Sequence, residues 1–122
     1  MDVVLAAHSG LRWLVLAGLV AVIAWAFTGD RSGVPTWVRV VGGIFALQVV
    51  LGLVLYVADQ GWEQGPFLAM WHPVAMIAAL GVFQVGTARA GRGEGPPRVL
   101  GLFTLVALVL VLAGIPWFRP LM

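Results

Sequence analysis

Apolar residues run almost unbroken through four stretches of this chain, and polar residues gather in the short segments between them. Residues 13–29, 40–58, 64–88 and 99–118 contain no Asp, Glu, Lys or Arg. Each stretch is close to the roughly 17–25 residues that a helix needs to cross a bilayer core of about 30 Å. Strands of a membrane barrel would alternate in polarity, whereas these stretches are continuous and too long, so helices are the expected spanning elements. The pattern predicts helices over 3–27, 37–57, 66–88 and 97–115. The fold class that follows is all-α, a four-helix transmembrane bundle forming a single integral membrane domain over residues 1–122.

The connectors carry turn chemistry. Thr28-Gly-Asp-Arg-Ser-Gly-Val-Pro35 joins the first two helices and Arg89-Ala-Gly-Arg-Gly-Glu-Gly-Pro-Pro97 the last two. Pro66 and Pro97 suit first-turn positions, where a missing N–H costs nothing. The glycines of Gly91-Arg-Gly-Glu-Gly95 follow no strand, so they read as a flexible connector and not as a phosphate-binding loop. Ala24-Trp25-Ala26 has the look of a signal-peptidase site, but no basic stretch precedes the apolar run, and a retained first helix is expected.

Composition sharpens the class. The chain of 122 residues is 61% hydrophobic and 10% charged, whereas a soluble domain is about half apolar and about a quarter charged. A soluble enzyme is therefore excluded. All seven basic residues are arginines, and the net charge is only +2, so they read as topology signals and not as a nucleic-acid surface. Arg31, Arg39, Arg89, Arg92 and Arg98 share one side, against Arg12 and Arg119 on the other. By the positive-inside rule the five-arginine side is cytoplasmic, which puts both termini and residues 59–65 on the extracytoplasmic side. Trp62, Trp71 and Trp117 fall near the outer boundary and Trp25 and Trp37 near the inner one, as an interfacial belt requires, while Trp13 sits deeper. A faint parallel repeat of two hairpins is suggested by His8 and His72, each opening a helix that is followed by an Arg/Gly/Pro loop and an apolar helix.

The chain has no cysteine and two histidines. Disulfides, thiolate metal sites and covalent haem attachment are thereby excluded. His8 and His72 lie early in the first and third predicted helices, which run in the same direction, so at a rise of about 1.5 Å per residue they sit at similar depth. Ionisable groups within membrane helices are rare and usually face the bundle interior for a functional reason. Structural zinc asks for four ligands and a di-iron site for core glutamates, and neither set is present. A haem brings four equatorial nitrogens and leaves two axial positions, the number that His8 and His72 can fill. Ala75 and Ala79, on the His72 face, are expected to leave space for a flat ring, and Pro73 is expected to kink the helix beside the ligand. Arg12, one turn beyond His8, is the expected partner of haem propionates, with snorkelling to headgroups as the alternative. Gln48, Gln84, Tyr56 and Thr104 are expected to make interhelical hydrogen bonds or to line a helix interface.

Along His8-Ser-Gly-Leu-Arg-Trp-Leu-Val-Leu16, Gln48-Val-Val-Leu-Gly-Leu-Val-Leu-Tyr56 and Ile115-Pro-Trp-Phe-Arg-Pro-Leu121, with a histidine early in the third helix, the chain resembles a family of small bacterial four-helix membrane proteins described as cytochrome b-like. The family pattern has Glu-His in that helix, where this chain has Trp71-His72. The resemblance implies non-covalent haem b held by His8 and His72 in a multi-pass protein of the bacterial plasma (inner) membrane.

The leading expectation is a membrane haem protein for electron transfer or redox sensing, with His8, His72 and Arg12 as cofactor-binding residues. Its expected partners are the lipid bilayer, a quinone or redox partner protein, and a second copy of the chain through glycines 10, 18, 42, 43, 52 and 81. Two other classes stay open. One is a copper protein using His72 with Met70 or Met76 and His8. The other is an accessory structural subunit of a larger membrane complex.

Overall fold

The computed structural model describes residues 2–28, 34–58, 60, 63, 65, 70–93 and 96–114. The described chain is all-helical: α1 (Asp2–Phe27), α2 (Thr36–Ala58), α3 (His72–Gly91) and α4 (Pro97–Gly114). The helices α1, α2 and α3 are long and apolar enough to cross a membrane. Helix α4 is also apolar, and its 18 residues span about 27 Å at 1.5 Å per residue. The predicted calls on Pro66, Trp62, Asp59, Trp117, Arg31, Arg119 and the Ile115–Leu121 motif lie outside the described residues.

Packing closes the helices into a ring in which α1 touches α2 and α4, and α3 touches α2 and α4. Consecutive helices are antiparallel neighbours, and α1 and α3 face each other across the diagonal. Phe45 and Phe83 meet in the centre with ring centroids 6.2 Å apart, among Leu19, Val22, Val38, Ala79, Leu100 and Ala107. Large apolar side chains also cover the outside, Val20, Val50, Val106 and Val109 all being more than half exposed. Contiguous apolar surface on this scale has no place in water and suits lipid.

Small residues set the spacing. A Cβ at Gly86 would lie 2.6 Å from Phe103 Cβ, and one at Gly114 2.6 Å from Met76 Cε and 2.9 Å from Ala75 Cβ. The α3–α4 contact is therefore a backbone-close seam of the kind that packs membrane helices without a hydrophobic driving force. Gln48 and Gln84 bond between helices as expected: Gln48 Nε2 donates to His8 O at 2.6 Å and Gln84 Nε2 to Gly42 O at 3.3 Å. Thr104 instead bonds within its own helix, to Leu100 O at 2.8 Å.

The α-helical part of α3 begins at His72 and runs on to Gly91, three residues beyond the predicted end. Met70 and Trp71, just before it, are π-helical, so Pro73 follows directly on a π turn, the kind of irregularity that bends a helix. Ala75 and Ala79 are buried and serve helix packing, Ala75 against Gly114 and Ala79 within the central core. Neither lines the cavity beside His72.

Candidate functional site

His8 projects from the second turn of α1 into the bundle and is 5% exposed. The residue that makes room for it is Gly52 of α2, where an added Cβ would stand 3.0 Å from His8 Cε1. Gln48, one turn earlier on α2, ties this level of the two helices together through its bond to the His8 carbonyl.

His72 is held from the other side. Its Nδ1 lies 2.7 Å from the Gly114 carbonyl oxygen at the end of α4. A carbonyl only accepts, so Nδ1 carries the proton and Nε2 keeps its lone pair free. Trp71 Nε1–H donates to the adjacent Ala113 carbonyl at 2.9 Å. The last carbonyls of a helix lack partners within it. Here two of them fasten the start of α3 and fix the tautomer of His72, the arrangement that orients metal-binding histidines.

The two imidazoles therefore meet across the diagonal. Their ring centroids are 6.3 Å apart and their planes stand at 89°. The contact is edge-on, with one ring directed at the face or edge of the other.

Around the pair lies a cavity of about 60 Å³, lined by Arg12, Gln48, Gly52, Tyr56 and Met76 as well as both histidines. Leu53 and Ile77 line it too and are both exposed, so its mouth opens on the outer face between α2 and α3, the least closely packed of the neighbouring pairs. Polar atoms without partners gather here. His8 Nδ1, Ser9 Oγ, Arg12 Nε and Gln48 Oε1 are all buried and unbonded among the described residues. Each such atom costs about 1–3 kcal/mol, and three of the four belong to residues that line the cavity, His8, Arg12 and Gln48, which is the mark of a polar binding site.

Arg12 reaches the same cavity. Its guanidinium carbon stands 4.9 Å from the centroid of the Trp13 ring, a cation–π contact, and Trp13 itself is 56% exposed. Met76 lines the cavity, whereas Met70 is exposed and away from it. Trp25 and Trp37 pair edge to face, 6.2 Å apart, at the opposite end of the bundle.

Among the described residues no three of His, Cys, Asp and Glu come together. No protein-family model, curated protein or solved structure matches the chain.

Sequence reasoning found both histidines and Arg12. It missed the role of Gly52, one glycine among 16, because only its placement opposite His8 distinguishes it. It also missed Gly114, whose contribution is a backbone oxygen.

Proposed function

We propose that this protein is a membrane b-type haem protein, multi-pass in a bacterial inner membrane, with haem bound non-covalently between α1 and α3 by His8 and His72 and used for electron transfer or redox sensing. The observation that carries the reading is the pair of imidazoles facing one another at 6.3 Å and 89°. The donor set fits: two imidazoles, one already oriented by a carbonyl. A porphyrin is wider than the cavity, and the mouth lined by Leu53 and Ile77 is the apolar side on which it would have to be accommodated. Haem bound in this way supplies a one-electron couple, while the chain holds the axial ligands, keeps water out with its apolar walls and places Arg12 near carboxylates. The purified protein should show a Soret band and, after reduction, resolved α and β bands, with the pigment extractable by acidic solvent.

Arg12 tunes rather than ligates in this reading. A nearby positive charge disfavours the more positive ferric state, and removing it also leaves propionate charge uncompensated. Both effects favour the oxidised form. Arg12→Gln is therefore expected to keep the low-spin spectrum and lower the midpoint potential by on the order of 50 mV, given that about 59 mV corresponds to 1.4 kcal/mol for one electron. A spectroelectrochemical titration with no shift would return Arg12 to the headgroups.

The orientation belongs to the same proposal. Five arginines against two favour a cytoplasmic location for residues 29–35 and 90–96 and an outer location for the termini and the histidine end. Single cysteines at 60–64 should react with an impermeant maleimide on intact cells and those at 90–96 should not. Labelling at 90–96 would reverse the orientation.

A second reading is favoured by one observation: Met76 lines the cavity with both histidines, a thioether and imidazole set that suits Cu(I). Copper in place of porphyrin in the purified protein would select it.

A further inference from the structure

Charge is divided between the two ends of the bundle. Among the described residues, the acids Asp2 and Glu63 belong to the histidine end, while Arg39, Arg89, Arg92 and Arg98 belong to the other. Asp30 and Glu94 stand in the connectors of the arginine end and lie outside the described residues. With these counted, the sequence of that end still sets five arginines against two acids. A positive-inside bias asks only for arginines in or near the connectors, and Arg39 is placed more definitely than that. It lies in the first turn of α2, and its Nη2 stands 3.0 Å from the point that a Cβ on Gly91 would occupy. The guanidinium of α2 thus rests on the last residue of α3, a position open to it because Gly91 has no side chain. On another side of α3, Arg89 turns toward α4 and lies 6.0 Å from the centroid of the Phe103 ring. Trp37, 40% exposed, shares the first turn of α2 with Arg39 and pairs edge to face with Trp25. That puts this level at the lipid–water boundary, where tryptophan collects.

We infer that the arginine end of the α2–α3 seam binds the headgroup of an anionic phospholipid, with Arg39 as the residue that takes the phosphate. A guanidinium offers a planar fork of donors that matches phosphate oxygens, and basic sites between membrane helices bind such headgroups. The first turns of α2 and α4 carry no acid, so the positive ends of their dipoles add to the same attraction. The seam itself is the least closely packed of the neighbouring pairs. Gln84, bonded to Gly42 O, marks its course one level deeper. From there the outer surfaces of α2 and α3 are apolar, Leu47 and Val85 each being about half exposed. An acyl chain has lipid-facing apolar surface directly beside the guanidinium, which free phosphate does not use, so a lipid is the occupant. The inference stands apart from the haem reading, because it uses no residue of the histidine end.

The test uses the full-length protein purified in mild detergent, with haem content recorded by absorption in every sample. Native mass spectrometry measures the bound phospholipid as phosphatidylglycerol or phosphatidylcholine is titrated in, with and without inorganic phosphate. Circular dichroism with gel filtration establishes that each variant is folded. Wild type should bind phosphatidylglycerol in preference to phosphatidylcholine, and inorganic phosphate should not displace it. Arg39→Gln should weaken phosphatidylglycerol binding by on the order of tenfold, the loss expected for one charge-assisted phosphate contact. Arg39→Lys, which keeps the charge but not the fork, should fall between the two. Arg98→Gln removes an equal charge at the same end, on α4, and should bind as wild type does. Equal binding of the two lipids overturns the inference, as does an Arg39→Gln protein indistinguishable from wild type. An Arg98→Gln loss as large as that of Arg39→Gln overturns it in favour of diffuse attraction by the whole end, and displacement by inorganic phosphate in favour of a simple ion site. Each of these results leaves the haem reading standing, and protein that takes up no haem still tests the lipid site.

Discussion

Replacing His72 with alanine is expected to empty the site and loosen the bundle at once. The side chain has two roles on separate atoms. Nε2 is the free nitrogen that faces the cavity chemistry, and Nδ1–H is the donor to Gly114 O at the end of α4. Alanine removes the ligand and leaves a carbonyl without its partner, at a cost of about 1–3 kcal/mol. Haem content should fall to background, and the apoprotein should unfold at lower temperature than wild type in the same detergent. His8→Ala separates the two roles, because the His8 ring makes no bond to the end of α4 as His72 does, and its apoprotein should lose less stability than that of His72→Ala. Haem analysis and thermal unfolding of the two variants side by side make the check. Equal loss of stability would mean that the Gly114 bond contributes little to the fold.

Gly52→Val carries the second large effect. A Cβ alone would lie 3.0 Å from His8 Cε1, and the two methyls of valine extend the same crowding into the cavity. Overpacking of this kind costs about 1–3 kcal/mol, which against ligand binding is roughly 5- to 150-fold in affinity. The variant is expected to keep its helices, lose most of its haem, and show a mixed spin state in what remains. Gly43→Val, at a position with nothing within 4 Å of the added atom, should bind haem as wild type does. A Gly52→Val protein with full low-spin haem would show that His8 does not need its present position.

The fold was legible because membrane spans are written in what they omit. Four charge-free gaps located four helices to within a residue or two, apart from α3, which ends three residues later than predicted and whose expected first-turn Pro66 lies outside the described residues. The histidine pair was legible through matched depth in helices of common direction, a property of spacing alone. What surrounds the pair was not. Ala75 and Ala79 share a helical face with His72, but that face is wide enough to meet a neighbour as well as a cavity, and the alanines went to the helix contacts. Room at the site comes from Gly52, and orientation from the Gly114 carbonyl, both of which depend on which helices became neighbours.

If iron were held between the two imidazoles as proposed, planes at 89° would act on different d orbitals and leave them nearly equal in energy, whereas parallel planes would act on one orbital and split the pair.

The most direct single measurement is a low-temperature electron paramagnetic resonance spectrum of the oxidised purified protein. The account expects low-spin ferric haem with one strongly anisotropic low-field feature, from two crossed histidine ligands. A dominant high-spin ferric signal, a Cu(II) signal or no metal signal at all would contradict bis-histidine haem, and a well-resolved rhombic triplet would contradict the crossed arrangement of His8 and His72.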